Sequence, residues 1–386
     1  MASKRQNTGA VKTKGAKSQQ PLEQGDKQQQ GASEDDVHQA LIQGSSDLAP
    51  WLVPELERSL GLFDAGRLHH ALLLSGRTGL GKSFLAMALA RALLCDLNQG
   101  GGGGGSPTSA AQRPCGECKS CRLTAAGNHP DMRLLGPNKA GERGEIVVDT
   151  VRGLIEFLHL SAQLGGTKVA VIVPCDRLNR SAANSLLKTL EEPPEGVFLI
   201  LATGRPGRLP ATVRSRCTIH QLPSPRLDEA QLWLSGHHNL SSEKLRQALV
   251  LCGGMPFSAH NMLHQHGLDR LEALLQQLHR LSAGGDPIKE AQMWQDNPHV
   301  LAEMLTAVIA ELLRRKHGGS MLGMLPAALS ERLADATPLD SLHQVFEQIT
   351  AHRRHLEQPL QGRLAAEAIF IDLSTALWGR AARSSL

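Results

Sequence analysis

Continuous apolar runs alternate with helical patterns through the middle of the chain. Three runs are long enough for buried parallel strands, at residues 71–74, 168–173 and 197–202. Apolar positions at helical spacing separate them, at residues 84–94, 149–160 and 181–192. A shorter apolar run at 146–148 predicts one further strand. This alternation is typical of a doubly wound α/β domain with a parallel sheet, in which ligands bind at the carboxyl ends of the strands.

The pattern changes after about residue 222, where only helical spacing remains. Residues 227–234 and 242–251 predict short helices, and the second ends at a Gly-Gly pair that is typical of a helix C-terminus. Apolar faces with helical period then recur to the C-terminus, which predicts an all-helical domain. These faces suit internal bundle packing and an inter-subunit surface equally well.

Two segments lack any such pattern. Residues 1–36 are rich in Gln, Lys, Gly and Ser and hold few large apolar side chains, so we expect a disordered tail. A specific interaction arm is the alternative. Residues 99–112 include six consecutive glycines, which predicts a flexible insert.

The segment after the first strand has the spacing of a phosphate-binding loop, Gly-Arg-Thr-Gly-Leu-Gly-Lys-Ser. Gly76, Gly79 and Gly81 let the backbone curl so that its N–H groups face a polyphosphate, at a helix start whose dipole favours anions. Lys82 can then reach the β and γ phosphates, and Ser83 can ligate Mg²⁺. The loop predicts that ATP or ADP binds with Mg²⁺. A Gly-rich turn with an incidental Lys-Ser pair is the alternative.

Four cysteines have the spacing of a metal site. Cys115, Cys118 and Cys121 are separated by two residues each, and Cys95 precedes them across the Gly-rich insert. Four thiolates suit tetrahedral Zn²⁺, because tight Cys-x-x-Cys turns bring neighbouring sulfurs to one ion. We expect a structural zinc site, with a redox Cys-x-x-Cys pair or an iron–sulfur cluster as alternatives. The isolated cysteines are interpreted as small buried hydrophobic residues, at positions 175, 217 and 252.

Composition narrows the functional classes. The 386 residues suffice for about two or three domains. An aromatic content of 3%, with no Tyr, excludes an aromatic-rich platform for stacking bases. A net charge of +4 permits nucleic-acid binding without indicating it. No apolar run is long enough to span a bilayer and no signal-peptide pattern opens the chain, so we expect a cytoplasmic protein with reduced thiols.

Several motifs occur in an order that resembles one known family. The phosphate loop is followed by the cysteine module, by Ser-Ala-Ala-Asn-Ser-Leu-Leu-Lys-Thr-Leu-Glu-Glu-Pro-Pro at 181–194, and by Ser-Arg-Cys at 215–217. Together they resemble the clamp-loader branch of the AAA+ proteins, in particular the bacterial DNA polymerase III subunits. The resemblance is specific from residue 50 to about 220 and looser beyond. It implies an AAA+ P-loop domain, a small helical lid domain and a helical collar domain.

Within that family, the resemblance implies a delta-prime subunit rather than a tau/gamma motor. The motor carries an Asp-Glu pair that holds Mg²⁺ and activates water, and Val173 and Pro174 stand at the matching positions. Neither side chain can ligate a metal or accept a proton, so we expect crippled hydrolysis. Residues 253–258 also lack the basic residue of the motor's lid helix. Asp176 is the nearest carboxylate, and an ATP-hydrolysing motor that uses it with Lys82 is the alternative.

The same resemblance implies roles for two further residues. Arg216, in the Ser-Arg-Cys motif, matches the arginine finger that a clamp-loader subunit supplies to the γ-phosphate of its neighbour. Thr203 matches the polar sensor position near the phosphates. A surface salt bridge for Arg216 and an ordinary strand-end hydroxyl for Thr203 are the alternative interpretations.

The resemblance therefore implies a largely non-hydrolysing subunit of a replicative DNA polymerase holoenzyme, which helps to load the sliding clamp on primed DNA. Its implied partners are the tau/gamma motor subunits and the delta subunit, with the sliding clamp and DNA contacted through the complex. We expect a tail at 1–36, an AAA+ domain at 37–221 with the zinc module at 95–121, a lid at 222–266 and a collar at 267–386. A zinc-containing P-loop binding module outside replication is the remaining alternative.

Overall fold

The computed structural model describes residues 48–98, 113–137, 144–319, 323, 325, 327–355 and 362–378. The predicted tail at 1–36 and the Gly-rich insert at 99–112 lie outside these ranges. Within them, no helix combines the length and the apolar character needed to cross a membrane.

A parallel sheet of five strands forms the centre of the N-terminal half, in the order β2-β3-β4-β1-β5. The strands are β1 (Ala71–Ser75), β2 (Met132–Leu135), β3 (Lys168–Ile172), β4 (Val197–Thr203) and β5 (Thr218–Gln221). Ser75 pairs with Thr203, and Ile172 pairs with Leu201, so the carboxyl ends of β1, β3 and β4 lie side by side. That edge is where a doubly wound sheet binds its ligands.

Helices cover both faces of this sheet. They are α1 (Val53–Asp64), α2 (Lys82–Leu93), α3 (Lys119–Ala125), α4 (Val148–His159), α5 (Arg180–Ser185), α6 (Leu187–Glu191) and α7 (Ala211–Arg214). Leu72 and Leu74 pack in the apolar layer that holds α1 and α2, whereas Leu73 packs in the layer that holds α4, α5 and α6. Successive strand residues face opposite sides, so a continuous apolar run is buried on both.

The apolar pattern located the central strands, but two local predictions were wrong and two strands were missed. Residues 146–148 do not form a strand, because Ile146 makes only an isolated bridge with Leu178 and Val148 already begins α4. The helix predicted at 181–192 is divided into α5 and α6 at Leu186. β2 and β5 had no apolar run to reveal them, because they are the edge strands and are buried less completely.

The C-terminal half is helical, as predicted. Its helices are α8 (Leu227–His237), α9 (Ser242–Leu251), α10 (Pro256–His264), α11 (Gly267–Ser282), α12 (Pro287–Ala291), α13 (Pro298–Lys316), α14 (Ala327–Ala336), α15 (Leu339–His355) and α16 (Gly362–Leu377). Apolar residues of α8, α9 and α10 form a small cluster, and those of α11 to α16 form a larger one. The division into a lid at 222–266 and a collar at 267–386 stays a prediction with which these clusters are compatible.

Candidate nucleotide cleft and cysteine cluster

The turn between β1 and α2 has the backbone of a phosphate loop. Gly79 and Gly81 have φ of 80° and 95°, in the left-handed region that glycine adopts without strain. Gly81 is the N-cap of α2 and Lys82 is its first residue, so the unpaired N–H groups of the helix start face the turn. Gly76 begins the turn, and a Cβ there would approach the side chain of Leu80 at 2.8 Å.

The loop opens onto a cleft of about 340 Å³ at the carboxyl edge of the sheet. Its lining combines the loop, the segment after β3, the end of β4 and the start of α10, and includes Thr78, Gly79, Gly81, Lys82, Ser83, Val173, Pro174, Asp176, Thr203, Phe257 and Asn261. The structure therefore brings Lys82, Ser83 and Thr203 to one cleft. Gly76 lies outside this lining. The volume lies in the range of small-molecule sites.

Lys82 is a buried cation in this cleft. Its Nζ donates to the carbonyl of Arg77 at 2.6 Å. Burial lowers the pKa of Lys82 to about 8, against the opposing negative charge of Asp176. A bound polyphosphate would favour the charged ammonium and offer it stronger acceptors than a single carbonyl. The loop thus presents an ammonium whose environment favours an anionic ligand.

Asp176 reaches the cleft from the turn Cys175–Arg177, which follows β3. Thr203 Oγ1 donates to Asp176 Oδ1 at 2.6 Å, and the N–H of Arg205 donates to Thr203 Oγ1 at 2.8 Å. Val173 and Pro174 line the same wall with apolar side chains. Asp176 is the single acid among the described residues of the lining. The cleft can therefore place one carboxylate near a phosphate-bound cation, and this wall lacks a second one to activate water.

The start of α10 packs directly on the phosphate loop. The N–H of Phe257 donates to the Gly79 carbonyl at 3.0 Å, and Arg77 Nη1 donates to the Gly253 carbonyl at 2.9 Å. The Phe257 ring lies so close to Gly81 that a Cβ there would come within 2.4 Å of it. The sequence did not predict the bond between Arg77 and Gly253, because the two residues are 176 positions apart.

Arg216 lies on the surface between α7 and β5 and is not among the lining residues of this chain's own cleft. Its Nε donates to Glu191 Oε1 at 2.6 Å, and its Nη1 donates to the Thr212 carbonyl at 2.8 Å. The side chains of Arg216 and Glu191 are 32% and 47% exposed. The guanidinium is therefore accessible from outside the chain while it is oriented by two partners.

The four cysteines of the predicted metal site meet in one cluster. Sγ of Cys95 lies 3.7 Å from that of Cys115 and 3.9 Å from that of Cys118, and Sγ of Cys115 lies 3.9 Å from that of Cys121. Tetrahedral coordination with Zn–S bonds of about 2.3 Å requires sulfurs about 3.8 Å apart. The cysteine cluster could therefore hold a metal ion of this coordination geometry.

Backbone groups support the cysteine cluster. The N–H of Cys118 donates to Cys115 Sγ at 3.4 Å, and the N–H of Cys121 donates to Cys118 Sγ at 3.3 Å. Burial raises the pKa of the Cys115 thiol, but backbone N–H groups, that of Cys118 foremost, lower it by more, to about 7. Arg113 donates to Asp64 at 2.5 Å and also bonds Asn98. It thereby ties the module to the end of α1.

Two family models match the chain. One, described as "DNA polymerase III, delta subunit", matches residues 53–226, and one described as "DNA polymerase III, delta subunit, C terminal" matches residues 265–366. Among curated relatives, the DNA polymerase III subunit delta' of Escherichia coli K12 is 38% identical over 71% of this chain and 78% of its own length. The Yersinia pestis subunit delta' is 34% identical over 79% of this chain and 88% of its own length.

The similarity to a tau/gamma subunit covers a shorter length. The DNA polymerase III subunit tau/gamma of Haemophilus influenzae is 37% identical over 48% of this chain but only 24% of its own length. Among solved structures, a DNA polymerase III gamma subunit-related protein of Thermotoga maritima has a TM-score of 0.37 at 16% identity and covers 82% of this chain, a likeness too low to add to the assignment. The long matches to delta' proteins are decisive, and the chain belongs to the DNA polymerase III subunit delta' family.

Proposed function

We propose that this chain works as an assembly subunit of a clamp loader, in which it holds nucleotide without cleaving it efficiently and supplies Arg216 to the ATP site of a neighbouring subunit. Its partners would be tau/gamma motor subunits and a delta subunit, and through them the sliding clamp and primed DNA. Family membership supports the complex. The single observation that carries the proposal is the position of Arg216, accessible on the surface and separate from this chain's own cleft.

The chemistry of a guanidinium explains why this position matters. The planar, permanently charged group can donate two bonds to phosphate oxygens and stabilise charge that develops in phosphoryl transfer. Arginine fingers supplied in trans raise turnover by about 10³ to 10⁵ in GTPases. The bond from Nη1 to the Thr212 carbonyl orients Arg216 before any neighbour arrives. Glu191 would be its partner in the unassembled chain.

The test is a reconstituted clamp loader in which this chain carries Arg216→Ala. We expect assembly to be retained, while DNA-stimulated ATP turnover falls and clamp loading drops by about tenfold or more. Arg226→Ala is the matched control, because that arginine is 82% exposed and pairs with nearby Asp228.

A second variant distinguishes an arginine finger from a structural ion pair between Arg216 and Glu191. Glu191→Gln removes the carboxylate charge and leaves the guanidinium in place. If Arg216 acts on a neighbouring phosphate, Glu191→Gln keeps most of the loading activity. If the two substitutions impair loading equally, the ion pair itself is what matters and the trans role is wrong.

The cleft of this chain is proposed to bind ATP or ADP with Mg²⁺ through Lys82, Ser83 and the backbone of the loop. Thr203 would sense the phosphates, since its hydroxyl lies in the lining and donates to Asp176. With Val173 and Pro174 in place of the acidic pair, we expect tight binding and slow cleavage. Nucleotide binding measured for the isolated chain, together with its ATP turnover, tests this part.

The presence of Asp176 in the cleft supports a second candidate function, that of an ATP-hydrolysing motor. Its carboxylate shares the lining with Lys82 and Ser83, where it could contact a phosphate-bound Mg²⁺. The isolated chain and its Asp176→Asn variant distinguish the two functions. Robust turnover that is lost in the variant would establish the motor and overturn the assembly role. Equal, very low turnover in both supports the assembly role.

For the cysteine cluster we propose structural Zn²⁺, bound by Cys95, Cys115, Cys118 and Cys121. The sulfur separations suit this ion, and a closed set of four thiolates leaves no open position for a substrate. The ion would join the segment after α2 to the start of α3. Its role is to stabilise this module of the AAA+ domain.

A further inference from the structure

Three histidines of the small helical cluster meet at one point of the surface. His238 directly follows α8, whereas His260 and His264 lie one helical turn apart on α10. Residues four apart share a helix face, so the two α10 imidazoles project side by side. The contact between α8 and α10 brings the third imidazole to them. We call this group the histidine cluster.

The ring nitrogens of this group are close enough to share an ion. His238 Nε2 lies 2.9 Å from His260 Nδ1, and one ring nitrogen from each of the three residues lies within 4.8 Å of the others. With metal–nitrogen bonds of about 2.0 to 2.1 Å, tetrahedral coordination places nitrogens about 3.3 to 3.4 Å apart. Side-chain rotations that move each nitrogen by about 1 Å would therefore complete the geometry.

A hydrogen bond accounts for only two of the three histidines. A pair of neutral imidazoles shares one N–H···N bond, which accounts for His238 and His260. The ring of His264 then packs against both, with centroids 4.9 Å from His238 and 4.4 Å from His260. An ion would accept a lone pair from all three rings at once. The position of His264, which is exposed, also leaves the group open to solvent.

We propose that His238, His260 and His264 form a second metal site, for a divalent transition ion of the Zn²⁺ class, with water in the fourth position. Three imidazoles and an open position suit zinc, cobalt, nickel and copper better than the oxygen-seeking Mg²⁺. The donors are nitrogens at the end of α8 and on α10, so the site is independent of the thiolates at the end of α2.

The location gives this site a structural consequence. An ion would join the end of α8 to α10, the helix whose first turn packs on the phosphate loop through Phe257. Trp233 of α8 connects the two regions, with its ring 4.7 Å from that of Phe257 and 5.7 Å from that of His260. Metal binding would restrain α10 relative to α8 at the back of the nucleotide cleft.

The test is metal analysis of the untagged full chain after dialysis against micromolar Zn²⁺. We expect about two ions per chain for the unmodified protein, about one for Cys118→Ser and about one for His264→Gln. His279→Gln is the matched control, because this exposed residue of α11 lies outside the group, and it should retain both ions. A single ion in the unmodified chain, or two ions in His264→Gln, would overturn the proposal.

Two further measurements separate the histidines from an adventitious surface ion. His238→Gln removes the donor that follows α8 and should abolish the second ion as His264→Gln does; retention would rule out the three-ligand site. Co²⁺ added to a chain that holds one equivalent of Zn²⁺, which the four thiolates take up first, should give the visible bands of a tetrahedral ion without sulfur charge-transfer absorption. Co²⁺ bands that survive in His264→Gln would also contradict the assignment. Circular dichroism checks that the variants remain folded.

Discussion

Helix α2 joins two regions of different character. The phosphate loop and its cleft lie at the first residue of the helix, and Cys95 of the cysteine cluster lies two residues beyond its end. A helix of 12 residues is about 18 Å long, so the two regions sit at opposite ends of one stiff element. The cysteine cluster brings together four donors for one ion. The cleft brings together Lys82, Ser83 and a single carboxylate.

The difference shows what each region needs from its surroundings. A tetrahedral ion is satisfied by four thiolates of one chain, so the cysteine cluster requires nothing beyond it. Hydrolysis of a nucleotide requires a cation, a group that activates water and charge stabilisation from several directions. The cleft supplies some of these, and Arg216 is not among its lining residues. A closed set of four candidate metal ligands and a partial candidate nucleotide cleft can thus share one helix.

The largest expected effect comes from breaking the cysteine cluster. Cys95→Ser should release about one metal ion per chain and lower the free energy of unfolding by more than about 4 kcal/mol, because the free energy of metal binding that is coupled to folding is lost. Thermal unfolding with parallel metal analysis measures both. Cys252→Ser, at an isolated half-buried cysteine, is the control and should keep the ion. An unchanged unfolding temperature after metal loss would contradict a structural role.

A smaller effect is expected from filling the space between the loop and α10. In Gly81→Ala the φ of 95° is strained and the new Cβ would meet the Phe257 ring at 2.4 Å. We expect a loss of about 2 to 3 kcal/mol of stability and weaker nucleotide binding. Gly66→Ala is the control, because Gly66 also has a positive φ, of 64°, but its added Cβ would meet nothing within 4 Å. It should lower the free energy of unfolding by about 1 kcal/mol. Denaturant titration compares them, and equal losses would mean that the contact with α10 contributes nothing.

The smallest effect is a pH dependence of nucleotide binding. Burial holds the pKa of Lys82 at about 8, so the ammonium that faces the phosphates is present below that pH and is lost above it. The affinity for ADP should therefore fall by up to about tenfold between pH 7 and pH 9. Calorimetric titration at several pH values measures this change. Lys82→Met should bind weakly at every pH, and an unmodified chain with constant affinity would show that Lys82 does not govern binding.

The phosphate loop and the cysteine cluster were accessible from sequence because their geometry is mainly local. Glycine positions within eight residues determine the loop backbone, and Cys-x-x-Cys spacing determines which sulfurs converge. The resemblance to clamp-loader proteins indicated that Val173 and Pro174 stand where a motor subunit has its acidic pair. It also indicated that Arg216 matches the arginine finger. It could not say that Glu191 holds this arginine in the unassembled chain.

Long-range packing decided the rest. The edge strands β2 and β5 carry no continuous apolar run, and in the cleft Asp176 accepts a hydrogen bond from Thr203, which comes from a neighbouring strand. The contact of Phe257 with the loop and the meeting of His238 with His260 depend on how α10 packs. Local spacing determined which groups this chain can use to bind an anion or a metal. Tertiary structure decided which distant groups share a site, because side chains far apart in sequence meet only when the packing of whole helices and strands is complete.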